Sequence, residues 1–485
     1  MLRTSAIALL AWLLALPALG QDLPNLTALQ ARGGSVSGLV VDLEDGRVVA
    51  ELAPDRQVTP ASVTKLVTGA LALETWGPDH SFTTRIAATA TPQDGRVAGD
   101  LVLIGGADPA LTEEGLWHLA RDLAQQGIRE VSGDLVVDAS RFGHVECSLR
   151  DRCEALAQSH HSYAAPLSAA GVNFASVAVT LRPGAAAGQA AQVQPEPFQL
   201  PSLQVVADTS TRTGGGFELQ VVRDSLSEGE RLQVAGSVPA GHQPVAIRRS
   251  VAHPERHSGE VLRGFLQREG VTLQGELRFA YTPQPYQLVL AQYEGRPLGE
   301  TLKSMMYFST NFTADVLALE MSRNAGQGAP LNLPQAGAFL SRYLHESLSG
   351  SRFGQGVNPA ASLRDGSGLD PDNRVSAREL VALLDRIYMR LDLFQPFLGA
   401  LSVPLHARGT LLRGQDPEWA TNVAGKTGGL SVPVSVTTFA GYLRFPDGGW
   451  GAFAFLVNGA PGQPIGRADA FEAMRQDFAV LRSRN

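Results

Sequence analysis

PASVTKLVTG, Pro60 to Gly69, carries one of only three lysines in a chain of 485 residues whose lysines and arginines total 40. Positive charge is otherwise supplied by arginine, so a lysine marks a place where the two are not equivalent. Arginine stays protonated in proteins, whereas an ammonium taken out of water can lose its proton and act as a base. Ser62 and Lys65 stand three apart at the start of a helix, which puts both side chains on one face, a turn from each other. A serine hydroxyl is a weak nucleophile until a neighbouring base removes its proton. In the first turn, Ser62 also gains from the positive end of the helix dipole, which favours a developing negative charge.

S-x-x-K fixes only two positions, and by itself describes a serine cap beside a solvated lysine. Two further stretches supply what that pair lacks. YFSTNF, residues 307–312, gives Ser309 and Asn311, a hydroxyl and an amide two apart. AGKTGGL, residues 424–430, gives Lys426, Thr427 and Gly428 ahead of a strand, so two of the three lysines fall inside these short motifs.

In this order the chain resembles the penicillin-binding serine enzymes, whose motifs are S-x-x-K, S-x-N or S-D-N, and K-T-G. The long separation of Ser62 from Ser309 is similar to that of class C low-molecular-weight penicillin-binding proteins, the D-alanyl-D-alanine carboxypeptidase/endopeptidase type. LIGGADPAL (103–111), VSGDLVVDASRFG (131–143) and DGSGLDPDNRVSA (365–377) extend the likeness over nearly the whole chain.

The resemblance implies roles for these positions. Ser62 would attack the carbonyl between two D-alanines to form an acyl-enzyme, with Lys65 as base. Ser309 would pass a proton to the leaving amine, and Asn311 would hold the substrate amide and the lysine. Lys426 and Thr427 would bind the terminal carboxylate, with Gly428 beside them. The backbone N–H groups of Ser62 and Gly429 would form the oxyanion hole. It also implies peptidoglycan peptides ending in D-Ala-D-Ala as substrates and β-lactams as covalent inhibitors. No metal or organic cofactor is expected, because nucleophile and base are both side chains.

The physical chemistry agrees. An isolated lysine, pKa about 10.4, is free base at neutral pH in fewer than roughly one molecule in a thousand. Burial and a second cation both lower that pKa, and Lys426 is the candidate cation. Three departures from the family pattern stand out. Thr310 replaces Asp or Asn between Ser309 and Asn311. Gly429 replaces the Ser or Thr that often follows K-T-G, so no side-chain hydroxyl is offered there. After DGSGL the chain continues Asp370-Pro371 rather than Ser-Arg, with Arg374 three residues later, so ornithine or lysine becomes more plausible than diaminopimelate at the third position of the stem peptide.

Working outward, residues 1–20 have one positive charge at Arg3, an apolar run from Ala6 to Leu16 and small residues before Gly20, the pattern of a cleaved secretory signal. Export to the periplasm or cell-wall space follows, with no integral membrane segment after cleavage. A formal net charge of −7 without a basic cluster argues against a nucleic-acid partner. Cys147 and Cys153, the only cysteines, have a spacing that suits a small disulfide loop in an exported chain. The competing metal site with His160 and His161 lacks paired C-x-x-C spacing. His253 and His257, four apart, lie where Pro254 starts a helix, without an H-E-x-x-H pattern.

SVSGLVVDLEDGRVVAEL predicts a hairpin about Asp45-Gly46, and another turn is expected at Asp94-Gly95. A continuous helical pattern is predicted from Leu298 through Met321, and a final pair of strands about Asp447-Gly448-Gly449. The closing helix carries a stripe of Phe471, Met474, Phe478 and Leu481. The expected fold is α+β: an antiparallel sheet shared by the first and last hairpins, covered by helices from both ends of the chain and interrupted by a large β-rich insertion. Residues 21–81 and 282–485 would form the catalytic part, 82–181 with 243–281 an inserted domain, and 182–242 a small β domain within it. Two rival functions are a secreted β-lactamase, for which no E-x-x-x-N placed like that of class A enzymes is evident before K-T-G, and a penicillin sensor that turns over no peptide.

Overall fold

The Asp45-Gly46 turn, with Gly46 at φ 78°, closes the first hairpin as expected, pairing Ser35–Asp42 with Val48–Leu52. In this computed structural model, residues 22–147, 153, 162–286, 288–407 and 410–483 are described. The secretory segment and the His160–His161 alternative lie outside those residues.

The strand Ser35–Asp42 pairs on its other side with Trp450–Asn458 from the far end of the chain. The complete sheet runs Val423–Leu430, Val436–Arg444, Trp450–Asn458, Ser35–Asp42, Val48–Leu52, antiparallel throughout. The first and last hairpins thus share one sheet.

Its strands are apolar on both faces, and the period of two divides them between two cores. Leu39, Val41, Ala452 and Ala454 face the helices Thr64–Trp76 and Ala377–Tyr388. Val40, Phe453 and Phe455 face Pro24–Ala31 and Arg467–Ser483. The expected stripe Phe471, Met474, Phe478 and Leu481 is buried there. Asp477 on the last helix accepts from the backbone N–H of Asn25 and Leu26, filling two donors that a helix start leaves open.

Thr64–Trp76 is buried from Thr64 to Leu73, so the helix after Ser62 runs through the core rather than over the surface. Gly69 permits this, because a Cβ there would sit 2.8 Å from Met306 Cε on the crossing helix Leu298–Phe308.

Between Ser62 and Ser309 the chain builds a second five-stranded sheet, in the order Leu277–Ala280, Leu135–Asp138, Leu101–Ile104, Thr83–Ala88, Leu288–Glu294. A separate three-stranded sheet, Leu203–Arg212, Gly229–Pro239 and Glu218–Leu226, lies within residues 203–239. Cys147 and Cys153 are joined by a disulfide, their Cα atoms 5.6 Å apart. Pro254 stands at the first turn of its helix with His253 as cap; His257 is buried, which lowers its pKa to about 4.

One element differs from expectation. The helix predicted from Leu298 onward is two helices, Leu298–Phe308 and Asn311–Asn324. Ser309 ends the first in a left-handed conformation, φ 57° and ψ 40°. A non-glycine residue is strained there, and hydrophobic periodicity carries no signal of it.

Candidate active site

Ser62 lies in a single 3₁₀ turn, Ala61–Val63, that runs directly into Thr64–Trp76. The backbone entering that turn is held from the sheet. Asn458 accepts from the Thr59 N–H at 2.8 Å and donates to the Thr59 carbonyl at 3.0 Å, while Thr438 Oγ1 donates to the Pro60 carbonyl at 2.7 Å. Rigid elements therefore fix where the serine stands.

Lys65 is wholly buried, and its Nζ reaches three oxygens: Ser62 Oγ at 3.0 Å, Asn311 Oδ1 at 2.8 Å and the Ser367 carbonyl at 2.7 Å. An ammonium has three N–H donors, and here each has an acceptor. A neutral amine has two donors and one lone pair, and the lone pair must face a group able to donate. The Ser367 carbonyl cannot donate. Asn311 presents Oδ1 to the lysine because its Nδ2 donates to the Tyr163 carbonyl at 3.0 Å. Of these three partners only the Ser62 hydroxyl can donate, which points the lone pair of a neutral Lys65 at the serine's proton.

The Ser367 carbonyl is a partner that sequence reasoning missed. It is set by a buried loop around Asp365, whose carboxylate accepts from the N–H of Gly368 at 2.7 Å and of Asp370 at 2.9 Å, and from Asn373 Nδ2 at 3.0 Å. Gly368, at φ 79°, is required where the loop meets the Ser62 turn, since a Cβ would fall 1.9 Å from the Ala61 carbonyl oxygen. The available signal was the density of Asp, Gly and Asn in DGSGLDPDN, which marks a turn but not its target. Arg374 donates to Thr59 Oγ1 and to the Pro371 and Asn373 carbonyls.

Ser309 and Asn311 flank the helix break. Asn311 contacts Lys65 directly, whereas the half-exposed Ser309 side chain makes no hydrogen bond among the described residues.

Lys426, Thr427, Gly428 and Gly429 lie on Val423–Leu430, the edge strand of the sheet. The Gly425 N–H and carbonyl bond outward to Ser402, so by alternation residues 427 and 429 also turn their backbone groups to the open edge. Gly428 faces the Ser62 turn, its missing Cβ only 2.8 Å from the Ser62 nitrogen. Lys426 is buried and donates to the Thr427 carbonyl at 2.7 Å. Burial first, then the charges of Lys65 and Arg467, hold its pKa well below the ordinary lysine value. Among the described residues no group of three or more His, Cys, Asp or Glu is placed to hold a metal ion.

Residues 19–481 match the family described as D-Ala-D-Ala carboxypeptidase 3 (S13). The D-alanyl-D-alanine carboxypeptidase of Actinomadura strain R39 is 30% identical over 481 residues, covering 95% of this chain and 85% of that protein. The D-alanyl-D-alanine carboxypeptidase DacB of Haemophilus influenzae is 26% identical over 443 residues, with 90% and 88% covered. The crystal structure of penicillin binding protein 4 from H. influenzae shares the fold, with a TM-score of 0.75 at 23% identity over 94% of this chain and 99% of that one. The chain belongs to the D-Ala-D-Ala carboxypeptidase 3 (S13) family and is a serine-type carboxypeptidase.

Proposed function

We propose that the protein cleaves the D-Ala-D-Ala bond of peptidoglycan stem peptides, and equivalent cross-link bonds, through an acyl-enzyme on Ser62. The contact of Lys65 Nζ with Ser62 Oγ at 3.0 Å carries this reading. Neutral Lys65 takes the Ser62 proton as Oγ bonds to the D-alanine carbonyl carbon. The oxyanion forms between the N–H groups of Ser62 and Gly429. The C–N bond then breaks, and the proton reaches the leaving amine by way of Ser309. Water restores the serine and releases the shortened peptide. Asn311 fixes the lysine and holds the substrate amide, while Lys426 and Thr427 bind the terminal carboxylate beside Gly428.

The open edge of Val423–Leu430 supports this arrangement, because a peptide laid along it meets outward backbone groups at residues 427 and 429. Arg374, already bonded to the Thr59 turn, supports a stem peptide with ornithine or lysine at its third position. We also propose that residues 1–20 direct export to the periplasm or cell-wall space; no helix among the described residues is long and apolar enough to cross a membrane. The three-part division of the chain is proposed with the return to the catalytic part near Pro297, since Leu288–Glu294 still pairs with Thr83–Ala88.

Mass spectrometry after brief exposure to benzylpenicillin tests the assignment. A stable penicilloyl adduct on Ser62, absent from Ser62→Ala, is expected. No adduct with intact drug would sink the proposal, and no adduct with rapid drug hydrolysis would identify a β-lactamase.

A pH effect follows from Lys426. Its protonated form attracts a carboxylate, and its pKa is depressed. Binding of an acid-ended peptide should therefore weaken as pH rises through that depressed value. A bound carboxylate raises the pKa again, so binding takes up protons. Calorimetry of the Ser62→Ala variant with such a peptide, in buffers of differing ionisation enthalpy, should show that uptake. Its absence across the neutral and alkaline range would remove Lys426 from the carboxylate site.

A further inference from the structure

The position after K-T-G is the clearest departure of this chain from its family pattern, and the structure shows what stands beside it. Side chains at 427 and 429 project to one face of the strand, opposite to 426 and 428. A Cβ built on Gly429 would lie 3.1 Å from Arg467 Nη1 and 3.5 Å from its central carbon. The guanidinium therefore stands where a serine or threonine hydroxyl at 429 would project.

Arg467 begins the last helix, on the face of the sheet away from Lys65. Among the described residues no carboxylate pairs with it; its neighbour is the Phe471 ring, whose centroid is 5.5 Å away. Arg467 and Thr427 line one cleft of about 460 Å³, with Met306, Tyr307 and Ser402 on its other walls. A cation without an acidic partner, beside the strand proposed to hold an anion, is the arrangement a carboxylate completes. A guanidinium presents two parallel N–H groups to such an anion, which a hydroxyl cannot.

We infer that Arg467, together with Thr427, grips the terminal carboxylate of the substrate and takes the place of the hydroxyl that Gly429 lacks. This deepens the proposed function and rests on it. Arg467 then acts as a specificity-determining residue for peptides with a free C-terminal carboxylate, while the chemistry at Ser62 proceeds without it.

The experiment measures kcat/KM for an N-acylated peptide ending in D-Ala-D-Ala and for the same peptide with its C-terminus amidated. Both are cleaved at the same bond, and only the first carries the carboxylate. Wild-type protein should prefer the acid. Arg467→Ala should reduce the acid-to-amide ratio roughly tenfold to a hundredfold, the worth of a charge-assisted contact. Its rate on the amide should stay close to wild type. Arg467→Lys should keep part of the preference, and Gly429→Thr placed in the Arg467→Ala background should recover part of it by restoring the hydroxyl.

An unchanged ratio in Arg467→Ala would overturn the inference, as would an equal fall in rate on both peptides, which marks a structural role against Phe471. Either result leaves the proposed function standing if Ser62 still cleaves the acid peptide. Failure of wild-type protein to cleave either peptide would overturn the proposed function, and this inference with it.

Discussion

Acylation of Ser62 is expected to slow by about 10²–10⁴-fold when Lys65 is replaced by arginine, the contribution typical of a positioned general base. Arginine keeps a long side chain with N–H donors at this position but has no amine that can lose its proton, so the comparison tests proton transfer directly. A guanidinium cannot release a proton near neutral pH and has no lone pair to offer the hydroxyl. The site is also matched to an ammonium: three acceptors converge on one buried nitrogen, and the planar fork of arginine fits that geometry poorly. Stopped-flow acylation by a chromogenic β-lactam gives the rate, and a thermal melt shows whether the variant is folded. A folded Lys65→Arg protein acylating at close to the wild-type rate would exclude Lys65 as the base.

Gly428→Ala is expected to lower kcat/KM by about 10²-fold, the scale of a displacement near 1 Å in a catalytic arrangement. The added Cβ would fall 2.3 Å from Thr438 Oγ1, 2.8 Å from the Pro60 carbonyl oxygen and 2.8 Å from the Ser62 nitrogen. Two of these three atoms are backbone, so no rotamer change relieves the clash; the edge strand and the Ser62 turn must move apart. That movement shifts Ser62 relative to Lys426, Thr427 and the Gly429 N–H. Gly429→Ala should do far less to acylation, since the first atoms its Cβ meets belong to the flexible end of Arg467. Equal rates for Gly428→Ala and wild type would mean that the strand and the turn are not held this closely.

The parts legible in the sequence are those with short-range causes. Residues 43–46 close the first hairpin between Asp42 and Arg47, and Gly46 supplies the positive φ, 78°, that a tight reversal needs. The stripe of Phe471, Met474, Phe478 and Leu481 follows from helical spacing and buries as that spacing requires. Ser62 and Lys65 meet because they lie one turn apart. The Ser309 break was invisible because one strained residue leaves the periodicity on either side intact.

The sequence by itself determined which groups have the necessary chemistry: a serine and a lysine on one helical face, an amide and a second lysine held in short motifs, and two hairpins at opposite ends of the chain. Only the tertiary structure decided which groups meet. The Ser367 carbonyl reaches Lys65 from 302 residues away, Asn458 holds the Thr59 backbone across 399 residues, and Arg467 comes to stand beside Gly429. Residue type and local spacing follow from the covalent chain, whereas these contacts exist only because burying both faces of one sheet brings its two ends, and the loop around Asp365, to a single place.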